Sequence, residues 1–201
     1  LNSHRFVEYF FGTWWGGGVV NPVNIRWNPK EVAYSLDDCD TRILLVDDLF
    51  APLVGELRRL STSLRTVVYC GEREVPEGMV GYEALLAGTA AIDDAPHTGD
   101  ELAAVMYTGG TTGRPKGVML SHGSLCIDAL ATVAALPRDG HEAVSIVAAP
   151  MFHVAGCGIA IQNLLRLVPM HVVPMFDELA VLDTLQQARV PEMFLVPTMI
   201  K

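Results

Sequence analysis

Short continuous apolar runs alternate along the chain with longer stretches whose apolar residues recur at helical spacing. Arg5 to Trp15, with Phe6, Tyr9, Phe10 and Trp14, reads as a helix, and Val19–Val23 as a strand entering a turn. Asn28-Pro29-Lys30-Glu31 then announces a second helix, running to about Cys39. Asn28 supplies a cap, Pro29 suits the first helical position, and Glu31 completes a capping box. Arg42–Asp47 is an unbroken apolar run of strand length, the pattern of a parallel strand buried on both faces. A helix over Leu49–Leu60, a strand over Thr66–Cys70 and a short helix over Tyr82–Ala87 follow. Ala91–Asp100 is polar, with three aspartates, a proline and a glycine, and is the best subdomain boundary.

Beyond it the alternation resumes. Ala103–Tyr107 and Val118–Leu120 read as strands flanking a Gly/Thr loop, and Ser121 as the cap of a helix to about Ala135. Strands are expected at Ala143–Ala149, His171–Val173 and Glu192–Val196. Helices are expected at Ala155–Leu167 and Asp177–Ala188, with a further one starting at Thr198. This order predicts an α/β fold, a mostly parallel sheet with flanking helices. The expected division is a first α/β portion over 1–95 and a loop-containing α/β portion over 96–201.

Composition sharpens this picture. Of 201 residues, half are hydrophobic and only 18% charged, against roughly 25% charged in an ordinary soluble domain. Helices covering both sheet faces, together with burial by further chain, account for that balance. The formal net charge is −9 and no Lys/Arg-rich run occurs, which argues against nucleic-acid binding. The most apolar reach, Ala143–Val173, is interrupted by Pro150, His153, Gln162, Asn163, Arg166 and Pro169, so no membrane span is expected. Cys39, Cys70, Cys126 and Cys157 form no CxxC pair and read as reduced thiols of a cytoplasmic protein. The histidines show no metal-ligand spacing. Both ends read as cut, so the chain is expected to be an internal piece of a longer protein.

The chemistry concentrates in Tyr107-Thr108-Gly109-Gly110-Thr111-Thr112-Gly113-Arg114-Pro115-Lys116-Gly117. Glycines let a backbone turn tightly and approach a ligand, and successive N–H groups in such a turn form an anion-binding nest. Thr108, Thr111 and Thr112 add hydroxyls and Lys116 a positive charge, a donor set suited to a polyphosphate. A plain β-turn needs none of these. A Walker A loop requires G-x-x-x-x-G-K-[ST], whereas here Lys116 follows Pro115 and precedes Gly117.

Tyr107–His122, YTGGTTGRPKGVMLSH, resembles the signature loop of the adenylate-forming superfamily of acyl-CoA synthetases, aryl-CoA ligases, luciferases and peptide-synthetase adenylation domains. Pro150-Met151-Phe152-His153-Val154-Ala155-Gly156 is similar to that family's P-x-F-H segment, and Gly16–Asn24 to a stretch common in acyl-CoA synthetases. The sequence departs from the usual pattern at Gly109, often Ser or Thr, and at Gly123, often Arg.

The resemblance implies part of the large N-terminal domain of an ATP-dependent acid–thiol ligase. In such enzymes a carboxylate, here a fatty or related acid, is activated as acyl-AMP and passed to CoA. An aryl-CoA ligase, a peptide-synthetase adenylation domain and a non-catalytic phosphate-binding module are the alternatives. It implies Lys116 and His153 as catalytic residues, and Thr108, Gly109, Gly110, Thr111, Thr112, Gly113 and Lys116 as the ATP-binding loop. Met151, Phe152, His153, Val154, Ala155 and Gly156 are implied to line the acyl pocket, and Thr108 to lie near a Mg²⁺ ion. His122 is expected to order the loop's exit. The Asp37/Asp38 and Asp93/Asp94 pairs read as solvated charges. The piece alone is expected to be inactive, and its uncovered apolar faces to favour homo-oligomers.

Overall fold

A computed structural model describes residues 1–109, 113–136, 144–188 and 193–200. Its elements in order are α1 (His4–Trp15), α2 (Pro29–Asp38), β1 (Ile43–Val46), a 3-10 turn (Ala51–Leu53), α3 (Val54–Leu60), β2 (Thr66–Tyr69), β3 (Val80–Gly81) and α4 (Tyr82–Gly88). Then come β4 (Leu102–Thr108), β5 (Lys116–Ser121), α5 (His122–Ala135), β6 (Ser145–Val147), α6 (Val154–Leu165), β7 (Met170–Val172), α7 (Glu178–Ala188) and a 3-10 turn (Pro197–Met199). The chain forms two compact units. One comprises Thr13–Pro96 and Ala104–Met119, the other Leu1–Gly12, His97–Ala103 and Leu120–Lys201.

In the first of these, α2 begins as its sequence dictates. The Asn28 side chain accepts from the Lys30 and Glu31 amides, and Glu31 accepts from the Asn28 amide at 2.9 Å. These bonds satisfy N–H groups that the helix cannot pair internally. Strands β1, β2 and β3 pair in that order, all parallel, with Ile43 opposite Thr66 and Val46 opposite Tyr69. Val32 and Leu36 of α2, Leu44 and Val46 of β1, Val54 and Leu57 of α3, and Val67 of β2 share one core. Both helices therefore pack on the Leu44/Val46 face. The apolar run of β1 predicts burial on both faces, but Ile43 is 59% exposed.

The strand expected over Val19–Val23 contracts to a single parallel bridge between Val20 and Ala104, with the Val105 amide donating to the Val20 carbonyl at 2.9 Å. Pro22 has no N–H to extend that ladder, and the Asn21 side chain turns to the Ser35 carbonyl and the Thr41 hydroxyl. Strands β4 and β5 pair with each other in a two-stranded sheet.

In the other unit β6 and β7 pair in parallel, Ser145 opposite Met170 and Val147 opposite Val172. Ile146, Ala148 and Val173 pack with Val181 of α7. Buried Asn163 of α6 donates to the Ser145 hydroxyl at 3.0 Å. The Ser121 hydroxyl caps α5 by accepting from the Ser124 amide. Of the strand expected over Glu192–Val196, Glu192 lies outside the described residues and 193–196 are irregular. The helix expected from Thr198 is the short 3-10 turn. The cysteines are thiols, and no described helix is long and apolar enough to cross a membrane.

Candidate functional site

The Gly/Thr loop joins β4 to β5. Gly110, Thr111 and Thr112 lie outside the described residues; Thr108, Gly109, Gly113 and Lys116 are described and all are exposed. Gly113 has φ +146°, a conformation that side chains disfavour. The Thr108 hydroxyl donates to the Lys116 carbonyl at 3.5 Å, so the two ends of the loop meet. Lys116 stands at the first position of β5, its side chain in solvent.

The flanks are held by the end of α2. The Tyr107 hydroxyl donates to Asp38 Oδ2 at 2.7 Å, and the Tyr34 hydroxyl to Asp38 Oδ1 at 3.3 Å. Tyr107 meets the rings of Trp27 and Tyr34 edge to face, at centroid distances of 6.0 and 6.5 Å. The Arg114 guanidinium lies over the Tyr34 ring, 5.4 Å from its centroid, within cation–π range.

The aspartates at the end of α2 are thus not merely solvated charges. Asp37 accepts from the hydroxyls of Ser61, Thr62 and Ser63 and from the Thr62 and Ser63 amides. Partial burial pushes its carboxyl up, but the Ser61, Ser63 and Thr62 hydrogen bonds together outweigh that and hold it at about 2. A sequence signal existed only for Asp38, whose partner Tyr34 lies four residues earlier on the same helix. Asp93 and Asp94 are exposed, as read.

The Pro150–Gly156 segment runs from the end of β6 into α6. The His153 amide donates to the Pro150 carbonyl at 3.1 Å, closing a turn. Met151 is wholly buried, Phe152 and Ala155 are half-buried, Gly156 is buried, and His153 and Val154 are exposed. His153 is the N-cap of α6, its Nδ1 accepting from the Ala155 amide at 3.3 Å. Acceptance at Nδ1 leaves the neutral ring's proton on Nε2. A Cβ on Gly156 would lie 2.7 Å from Met151 Cα and closer still to the Pro150 carbonyl oxygen, so the first turn of α6 rests directly on this backbone.

Asn2, which the sequence reading passed over, secures the segment from the other side. Only 6% exposed, it donates to the carbonyls of Ala149 (2.9 Å) and Val173 (3.2 Å) and accepts from the Met151 amide at 2.8 Å. No local pattern marks a residue whose partners lie 147 to 171 positions away. His122 stacks on His97 with centroids 4.4 Å apart, and its amide donates to the Glu101 carbonyl at 3.0 Å. Burial, then the neighbouring His97, hold the His122 imidazole below its usual range.

Among the described residues no group of three or more His, Cys, Asp or Glu side chains could hold a metal ion.

Known proteins resemble this chain in sequence and in fold. The chain is 36% identical over 159 residues to the long-chain-fatty-acid–CoA ligase of Thermus thermophilus, covering 77% of this chain and 28% of that protein. It is 32% identical over 199 residues to a feruloyl-CoA synthase of an Amycolatopsis species, covering 98% of this chain and 37% of that protein. The chain thus spans about a third of the length of these curated relatives. The inhibitor-bound N-terminal domain of FACL13 from Mycobacterium tuberculosis superimposes with a TM-score of 0.85 at 28% identity, over 99% of this chain and 48% of that one. The family profile described as AMP-binding enzyme matches residues 1–201, and the chain belongs to that family.

Proposed function

We propose that this chain supplies the phosphate-binding part of an ATP-dependent ligase that joins a carboxylic acid to CoA. The observation that carries the reading is the Gly/Thr-rich link between β4 and β5, with exposed Lys116 at its end and its two flanks anchored on one helix. In the first step a carboxylate oxygen attacks the α-phosphorus of ATP, the bond to the bridging oxygen breaks, and pyrophosphate leaves with the electron pair. In the second, the CoA thiolate attacks the acyl carbonyl carbon and AMP leaves.

The loop N–H groups and Lys116 would stabilise the charge that gathers on the departing pyrophosphate, which is where preorganised donors act most strongly. Mg²⁺ bound with the nucleotide would supply Lewis-acid charge neutralisation, and the Thr108 hydroxyl is the candidate to help hold it. His153 would offer Nε2–H to an oxygen of the acyl phosphate and transfer no proton. The half-buried Phe152 and Ala155 and the exposed Val154 are the parts of their segment able to touch an acyl group. Met151 and Gly156, being buried, would shape the wall from behind.

The acid is proposed to carry an apolar alkyl or aryl group, supported by this apolar segment and by relatives named for fatty and feruloyl substrates. A cytoplasmic setting accords with the use of ATP and CoA. The test is ATP–pyrophosphate exchange in the protein as its gene encodes it. Lys116→Ala is expected to lower exchange by about 100-fold or more, the scale of losing a donor at a developing charge, with an unchanged unfolding midpoint. Full exchange in a folded Lys116→Ala variant would remove Lys116 from the reaction. Exchange driven by free amino acids and by no fatty or aromatic acid would overturn the substrate class.

A further inference from the structure

We propose that Asp38 is a positioning residue for the phosphate loop: from the end of α2 it holds the hydroxyls of Tyr107 and Tyr34, and so fixes both flanks of the loop to one point. The inference rests on the reading of that loop as the ATP-binding element, and it assigns a part in the reaction to residues outside the loop.

The geometry is economical. Tyr107 immediately precedes Thr108 and Gly109, so its ring sets where the loop departs from β4. Its hydroxyl reaches Asp38 Oδ2 at 2.7 Å. The second carboxylate oxygen accepts from Tyr34 at 3.3 Å, and Tyr34 in turn lies beneath the Arg114 guanidinium. Arg114 is on the far side of the loop, two residues before Lys116. One carboxylate thus orients two rings, of which one precedes the loop and the other receives the cation near its far end. Trp27 packs against the edge of Tyr107 and limits its swing.

Burial, and then the bond to Asp38, push the Tyr107 hydroxyl well above the usual tyrosine range. Backbone that is ordered before a ligand arrives loses less conformational freedom on binding. Flanks already fixed reduce that loss, and the benefit is felt on the polyphosphate, not on the carboxylic acid.

The test compares Tyr107→Phe, Asp38→Ala, their double variant and Asp38→Asn in the protein as its gene encodes it. Two measurements are made: ATP–pyrophosphate exchange, and the rate of trypsin cleavage after Lys116 without substrate, read by mass spectrometry. Tyr107→Phe and Asp38→Ala are each expected to raise the KM for ATP about tenfold, the scale of one hydrogen bond to a charged group in a partly exposed site. The KM for the carboxylate and the unfolding midpoint should stay near wild type. The double variant should be no worse than Asp38→Ala, because both changes break one link. Asp38→Asn keeps an oxygen acceptor and should fall between wild type and Asp38→Ala.

Cleavage after Lys116 should quicken in parallel with the KM effect. If Asp38→Ala fails to fold, Tyr107→Phe, which deletes one oxygen, carries the test alone. An unchanged ATP KM with unchanged cleavage refutes the latch, as does a double variant whose effects simply multiply. A loss of kcat with no change in either KM would mean that Asp38 only supports the fold. A wild-type protein without exchange activity would sink the proposed function instead, while the cleavage rates would still decide whether Asp38 holds the loop.

Discussion

Replacing Asn2 with alanine is the most informative stability experiment, because three buried main-chain groups depend on that one side chain. Its amide donates to the Ala149 and Val173 carbonyls and accepts from the Met151 amide. A typical internal hydrogen bond contributes about 1 kcal/mol net, so three give about 3 kcal/mol. A buried group left unpaired costs about 1–3 kcal/mol, and water admitted to the vacated space would recover part of that. The expected loss is therefore about 3–4 kcal/mol, large against the whole stability of a domain, about 5–15 kcal/mol.

Asn2→Asp separates the donors from the acceptor. It still accepts from Met151, but at neutral pH it aims a charged oxygen at two carbonyls. It should be as damaging as alanine there and recover in part in acid, when the protonated carboxyl regains one donor. Urea unfolding gives the free energy, and hydrogen exchange followed by mass spectrometry reports the Met151 amide directly. A loss below about 1 kcal/mol with Met151 still protected from exchange would show that Asn2 does not hold the Pro150–His153 turn, and the magnitude argument would fail.

Two other outcomes test the same physical reasoning. The Asp37 carboxyl is held at about 2 against an ordinary 3.8, and each tenfold change in proton affinity is about 1.4 kcal/mol. Its folded value is lowered, so this stability is fully present above pH 3.8 and is lost as pH falls through 2. Because the carboxylate is partly exposed, Asp37→Ala should cost about 1–2 kcal/mol, not the full product; an acid-unfolding curve identical to wild type would contradict it. Gly156→Ala forces a methyl against the Pro150–Met151 backbone and should destabilise by about 1–3 kcal/mol while raising the KM for the carboxylate. An alanine variant with native stability and KM would show that α6 can shift away freely.

Features that rest on neighbours a few residues apart were legible from the order of residues alone. The capping box at Asn28–Glu31, the Ser121 cap and the strand–loop–strand around Thr108–Lys116 are local arrangements, and each stands where its residues predict. The proposal of an anion at the loop likewise comes from its composition, since glycines, threonines and a lysine need no distant partner to suggest one. Tertiary structure decided the rest. Whether Ile43 or Leu44 faces the core depends on which side α2 and α3 pack, and an unbroken apolar run does not encode that side. Val19–Val23 has strand composition, yet Pro22 and the turn of the Asn21 side chain to Ser35 and Thr41 leave one bridge. Asp38 looked like an ordinary helix-end charge until the fold brought Tyr107, 69 positions away, to its carboxylate. Asn2 had no signal at all, because a polar side chain acquires its meaning only when the main-chain groups it must satisfy have been buried around it.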